Sequence, residues 1–298
     1  MTTLSRLSAP SLGVFRSERA SVLGVTPNQL ARLSHEGVIE RIYPSTYRMT
    51  AVSPSRAQRL RAALLWAGDR AAAAGRSAGE LYELEGVRAS LPEIVLPHDV
   101  RGRTQGVTVY HGDSSALMVR TFRGLRVTGV EATLLRLAQV LDDENFEIAC
   151  EDARRRRLTS VPAMSAYLER VGRRGRPGLV TMRRLLRELD PQHPARSTLE
   201  VHTRRLLVAS GITDFVREFP LEWAGRTYRF DFAFPLRKTI LETNGRRWHD
   251  DATDYEHDNE KWSVPGRHGY RLVLATWEKV VRAPDDLLRE LAATMDTR

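Results

Sequence analysis

The stretch 228–249, YRFDFAFPLRKTILETNGRRWH, limits the possible folds of this chain more than any other segment. Tyr228, Phe230, Phe232 and Phe234 alternate with Arg229, Asp231 and Ala233, the period-two pattern of a strand that covers one face with aromatic rings. Pro235-Leu236-Arg237-Lys238 offers a turn, and Thr239–Asn244 reads as a second strand running back beside the first. A turn centred between Leu236 and Arg237 sets Asp231 directly across from Glu242, with Cβ atoms about 5 Å apart. Facing carboxylates repel each other, and a shared divalent cation such as Mg²⁺ or Mn²⁺ relieves the repulsion. The pattern points to a hydrolytic metal site. At this level the alternative stays open: two solvated acids on a hairpin.

Composition sets the outer bounds. The chain of 298 residues has room for two or three domains, each with its own core. It contains no apolar run long enough to span a bilayer, and its first twenty residues lack the basic start and apolar centre of a secretion signal. Cys150 is the only cysteine, which excludes internal disulfides and cysteine metal clusters. The expected compartment is the cytoplasm. Basic residues outnumber acidic ones by 46 to 37, giving a net charge of +9 carried almost wholly by arginine. Arginine pairs bidentately with phosphate, so a polyanionic partner is favoured; the alternative is an arginine-rich composition that reflects a GC-rich genome.

Three regions separate along the chain. In the first, Ser17–Leu23 forms a short amphipathic piece. Thr26-Pro27 then supplies an N-cap and a proline at the first helical position for a helix over Asn28–Glu36. Gly37 stops that helix, and Val38–Tyr43 and Thr46–Met49 form a two-stranded wing about Pro44-Ser45. This is the outline of a winged helix-turn-helix over residues 1–55. Asn28, Gln29, Arg32 and His35 would enter the major groove, while Arg41 and Arg48 would meet phosphate.

A mixed α/β region follows over 56–170. It has a helical run Arg56–Ala73, strands at Glu93–Leu96 and Val107–Tyr110, a capping box Thr128–Glu131 and a helix Asn145–Arg157. Residues 154–187 hold eleven arginines and a single acid, Glu169. Arg154, Arg155, Arg156 and Arg157 open this run, which reads as a helix, a turn and another short helix with a phosphate-facing surface, residues 171–190 serving as an arginine-rich linker. The alternative is a solvated, mildly repulsive helical face. The third region, 191–298, reads as a helix from Ser197 to about Ser210 and strands at Phe215–Pro220, Thr227–Phe234 and Thr239–Asn244. A helix from Thr253, a strand Tyr270–Ala275 and a closing helix complete it. The strand, helix, strand order over 239–275 predicts a parallel crossover.

In the third region, STLEVHTRRLLVASGI, RFDFAFP, ILETNGRRWH, DNEKW and GYRLVL, taken in that order, resemble the very-short-patch-repair endonuclease fold. The resemblance extends to its bacterial relatives within the PD-(D/E)XK nuclease superfamily. It implies a metal-binding role for Asp231 and for Glu242, the acid of the E-x-K strand. It also implies that Glu200 reaches a metal from a helix and that His249 works where other members use lysine. Asp258 and Lys261 fall at positions where close relatives carry an acid and a basic or polar residue. Asn244 departs from the pattern because it occupies the lysine position, leaving His249 or Lys261 to help activate water. From the residues alone, Glu200 also completes a capping box with Ser197. His249 can equally stack beside Trp248, and Asp258 can pair with Lys261.

Residues 10–157 resemble, more loosely, the AbiEi family of type IV antitoxins, through VIERIYPSTYRM, LPEIVLP, GLRVTGVEATLLRLA and ACEDARRRRLTS. That resemblance implies promoter DNA as a ligand and a cognate toxin as a partner. The two resemblances together imply an α+β chain. It would comprise a winged helix, a mixed α/β middle domain and, over 191–298, a PD-(D/E)XK-like mixed sheet flanked by helices. The expected function is a cytoplasmic, double-stranded-DNA-binding protein with a Mg²⁺-dependent endonuclease-like domain. The alternative is an antitoxin-like transcriptional regulator whose nuclease-like domain is inactive.

Overall fold

The computed structural model describes residues 2–172, 177–189, 195, 197–244 and 252–296, with residues 2 and 252–259 described by backbone alone. The chain is mixed α+β and divides into two compact units, Met1–Pro191 and Gln192–Arg298.

The first unit opens with α1 (Thr2–Ser8), β1 (Val14–Arg16), α2 (Ser17–Val22) and α3 (Pro27–His35), followed by β2 (Ile39–Tyr43) and β3 (Thr46–Met49). Thr26 caps α3 as expected: its hydroxyl accepts from the Gln29 N–H, and the Gln29 carboxamide oxygen accepts from the Thr26 N–H at 2.8 Å. The hairpin β2–β3 gains a third strand in β1, giving the order β1-β3-β2. Phe15, Ala20, Leu30, Ile39 and Met49 bury against one another beneath the two helices.

The rest of this unit comprises α4 (Arg56–Ala67), β4 (Ala72–Ala73), α5 (Gly75–Leu81), β5 (Glu93–Leu96), β6 (Thr108–His111), β7 (Arg120–Phe122) and β8 (Leu125–Val127). Then come α6 (Val130–Leu137), α7 (Asp143–Arg155), α8 (Val161–Val171) and α9 (Leu179–Glu188). The five strands lie in the order β6-β5-β4-β8-β7, with β5–β6 and β4–β8 parallel.

Two expectations are corrected here. The helical run from Arg56 ends at Ala67 because Gly68, at φ +89, leaves helical geometry, and Ala72-Ala73 join the sheet. The Thr128–Glu131 segment is no capping box: Gly129 is the N-cap of α6 and no side chain caps it. The Thr128 hydroxyl instead pairs with that of Thr133 at 2.7 Å, and Glu131 accepts from Thr159. The short helix expected in the arginine-rich segment is α9, whose Leu179, Met182 and Leu185 are buried in the main core of this unit.

The second unit contains α10 (Thr198–Ala209), β9 (Val216–Trp223), β10 (Arg226–Phe234), β11 (Thr239–Asn244), α11 (Ala252–Arg267), β12 (Arg271–Thr276) and α12 (Pro284–Asp296). Its sheet runs β12-β11-β10-β9, antiparallel except for the β11–β12 pair, which α11 connects as a parallel crossover. The β10–β11 register, Phe234↔Thr239, Ala233↔Ile240 and Phe232↔Leu241, is that of a turn centred between Leu236 and Arg237. A 3₁₀ turn over Pro235–Arg237 and a left-handed Lys238 make the reversal.

The aromatic stripe departs from strict alternation. Phe232 and Phe234 pack with Leu199, Leu207, Leu241, Leu287 and Leu291, under α10 and α12. Tyr228 and Phe230 pack with Ala233, Ile240 and Val264 on the other face, under α11. The switch falls at Asp231. Phe230↔Phe219 and Phe232↔Arg217 pair regularly on either side, while the intervening Asp231–Glu218 pair is missing from the ladder. Glu218 there has φ +50, a left-handed conformation costly for a residue with a Cβ. A strand distorted at one residue bends and re-aims its neighbours.

Candidate functional site

That distortion lies where the acids gather. Glu200 projects from the first turn of α10, Glu218 from β9 and Asp231 from β10, and all three are buried. One carboxylate oxygen from each lies within 4.8 Å of the others. Ser197 caps α10 by accepting from the Glu200 N–H at 3.2 Å. The Glu200 carboxylate itself accepts from Arg217 at 2.8 Å. The residue thus serves the helix through its backbone and the cluster through its side chain. Thr243 fixes Asp231, its N–H donating to Oδ2 at 2.9 Å and its hydroxyl donating to the same oxygen.

Glu242 stands next to this trio and is held differently. One of its oxygens accepts the Asp231 backbone N–H at 3.0 Å and the other accepts the Lys261 ammonium. Lys261 reaches over from α11 and also lies 5.2 Å from the centroid of the Phe230 ring. Burial, and then the nearby Asp231 charge, push the Glu242 carboxyl up to about 7, against a pull downward from Lys261. A carboxyl group that titrates near neutrality can both take and release a proton under ordinary conditions.

Among the residues anticipated for this site, the structure brings together Asp231, Glu242, Glu200 and Lys261. His249 lies outside the described residues, and Asp258 is described by backbone alone. Glu218 was not anticipated. Its left-handed backbone interrupts the strand and leaves no period-two signature. The available signal was its position across from Asp231 once β9 pairs with β10.

The residues expected to face DNA divide into two groups. Asn28, Gln29, Arg32, His35 and Arg41 are exposed, although the Gln29 side chain is occupied by the cap of α3. Arg32 lies 3.6 Å from Glu36, and Arg48 is half-buried, pairing with Glu40 at 2.7 Å and donating to the Val52 carbonyl. The arginine run from 154 requires correction. Arg154 has a side chain only 3% exposed and pairs with Glu151 at 2.6 Å. Arg155 bridges Asp152 and Glu85, and Arg156 donates to the Tyr82 and Glu83 carbonyls and to Asp152. These three stitch the unit together, because α7 turns their side chains toward acids of its own and of the α5 end. Arg157 alone of the four is exposed without an ion pair among the described residues.

The comparisons with known proteins fall on both units. Residues 3–50, which span α1 to β3, match the AbiEi antitoxin family of transcriptional regulators. The chain is similar to the catalytic domain of the homing endonuclease I-Bth0305I at 17% identity, over 34% of this chain and 99% of that one, with a TM-score of 0.28. It is also similar to the RV2827C protein from Mycobacterium tuberculosis at 18% identity, over 67% of this chain and 80% of that one, with a TM-score of 0.44. No curated protein matches the chain. Among the described residues, no helix is long and apolar enough to cross a membrane.

Proposed function

We propose that this chain is a cytoplasmic protein that binds duplex DNA through its N-terminal unit and hydrolyses a phosphodiester with a divalent cation in its C-terminal unit. The observation that carries the second half is the convergence of Glu200, Glu218 and Asp231 from a helix and two strands, buried and within 4.8 Å. Carboxylates so placed repel one another, and three hard oxygen donors suit Mg²⁺ or Mn²⁺. When bound, such an ion supplies a water of lowered pKa and offsets charge on the scissile phosphate.

The surrounding residues have roles of their own. Glu242, beside the trio and held by the Asp231 N–H and Lys261, is the carboxylate that would accept a proton. Lys261 holds the Glu242 carboxylate in position and brings to the site the positive charge that Asn244 cannot supply from β11. His249 is a further base on the grounds of the family resemblance. In the N-terminal unit, α2 and α3 with the β2–β3 hairpin act as a winged helix-turn-helix. Asn28, Arg32 and His35 lie on the exposed surface of α3, and Arg41 lies on the wing.

Supercoiled plasmid incubated with the protein and Mg²⁺ or Mn²⁺ tests the reading. Nicking by the wild type that Asp231→Ala abolishes is the expected result. Identical gels for the two proteins would remove cleavage from the account. The second reading, a transcriptional regulator with a toxin partner whose C-terminal unit grips without cutting, is favoured by the match over residues 3–50 and by Asn244. It predicts duplex binding without nicking.

A further inference from the structure

Loss of Arg154, Arg155 and Arg156 to internal pairs raises the question of which arginines of the first unit remain open to phosphate. Two adjoining hollows beside the wing supply an answer. One is lined by Arg101, Arg103 and His111, the other by Arg41 and Arg59, and Thr104 and Gln105 form a wall common to both. No carboxylate lines either hollow. All four arginines are exposed, and among the described residues none of them is in an ion pair. Neighbouring acids are already committed, Glu40 to Arg48 and Asp99 to Arg70.

The loop that carries Arg101 and Arg103 is braced. The Tyr43 hydroxyl, at the end of β2, donates to the Gly106 carbonyl at 3.4 Å, and the Tyr43 ring lies 6.1 Å from that of Trp66. The Gly102 backbone passes so close to Leu96 and Trp66 that a Cβ there would lie 3.0 Å from one and 3.4 Å from the other. The loop therefore rests on the core between two exposed arginines and is tied to the wing. Arg41, at the wing, and Arg101 and Arg103, on the loop, share one walled surface.

We propose that this groove is a second phosphate-binding surface, gripping the backbone of the same duplex beside the segment that α3 and the wing engage. The inference rests on the DNA-binding half of the proposed function. Guanidinium groups without acid partners, lining two acid-free hollows that share a wall, one of them formed by the wing, suit the phosphates of a duplex strand. Each phosphate neutralised releases counterions and steepens the fall of affinity with salt by about 0.9 in log–log slope.

The experiment measures duplex affinity by fluorescence anisotropy between about 50 and 200 mM salt. Wild type is compared with Arg101→Glu/Arg103→Glu and with Arg101→Lys/Arg103→Lys, on a promoter-derived and on a random duplex. The charge-reversed pair is expected to bind both duplexes at least about tenfold more weakly, with a slope shallower by about 2. The lysine pair, which retains the charge, should keep most of both. Arg282→Glu/Arg289→Glu, which changes net charge equally in the other unit, should leave the slope unchanged.

Wild-type affinity and slope in the charge-reversed pair would overturn the groove and leave α3 and the wing as the DNA contact. Failure of wild type to bind any duplex would overturn the DNA-binding reading and the groove together. An effect confined to single-stranded DNA would also count against the proposal, since the groove would then serve another ligand.

Discussion

Replacing Glu242 by Gln tests the electrostatics of the acid site through stability alone. The Glu242 carboxyl titrates at about 7 in the folded chain, against 4.5 in the unfolded one. At pH values between these, the folded state holds a proton that the unfolded state has released, so stability falls as pH rises. The penalty is absent below about pH 4.5 and complete above about pH 7. At about 1.4 kcal/mol per pH unit it amounts to about 3 kcal/mol. Gln has no proton to lose. The stability difference between Glu242→Gln and wild type should therefore shift by about 2.5 kcal/mol in favour of the variant between pH 5 and pH 8. Any constant loss, from a weaker contact with Lys261 or the Asp231 N–H, appears as an offset and does not affect the slope. Urea unfolding in EDTA, followed by tryptophan fluorescence, reads this well, because Trp223, Trp248, Trp262 and Trp277 all lie in the second unit. A difference that stays flat across that range would refute the reasoning.

Further outcomes follow from neighbouring contacts. Lys261→Met removes the cation that lowers the Glu242 pKa, so the inflection in the same profile should move above pH 7. Arg154→Ala should destabilise the first unit by about 3–5 kcal/mol in thermal or urea unfolding, because a buried Glu151 carboxylate loses its cation. The salt slope of duplex binding should be untouched by that change, whereas a phosphate-contacting Arg154 would lower it. Thr26→Ala breaks the capping box of α3 and should cost about 1 kcal/mol, read as a lower melting temperature for the first unit.

The parts of this fold that could be read from the chain are those where local pattern and tertiary packing agree. Thr26-Pro27 announces α3 because a cap and a fixed φ act locally. The turn at Pro235–Arg237 sets the register of β10 and β11 because the short reversal leaves Phe234 and Thr239 facing one another and fixes every pair after them. Glu218 was missed because a left-handed residue inside a strand is imposed by its surroundings and not by its own preference. The arginine run misled for a different reason. Four consecutive cations look solvated, yet helical spacing places Arg154 on the buried face of α7 with Glu147, Cys150 and Glu151. Burial there also pushes the Cys150 thiol well above its ordinary range, leaving it unreactive. Ala72-Ala73 read as helix because alanine carries the strongest helical propensity, which Gly68 and sheet pairing override.

Titration of the full chain with Mn²⁺, followed by electron paramagnetic resonance of the free ion, bears most directly on whether Glu200, Glu218 and Asp231 form a cation site. Saturable binding by wild type, lost in Asp231→Asn and weakened in Glu218→Gln, is the result expected here. Free Mn²⁺ that tracks the total throughout, with wild type and Asp231→Asn indistinguishable, would contradict it.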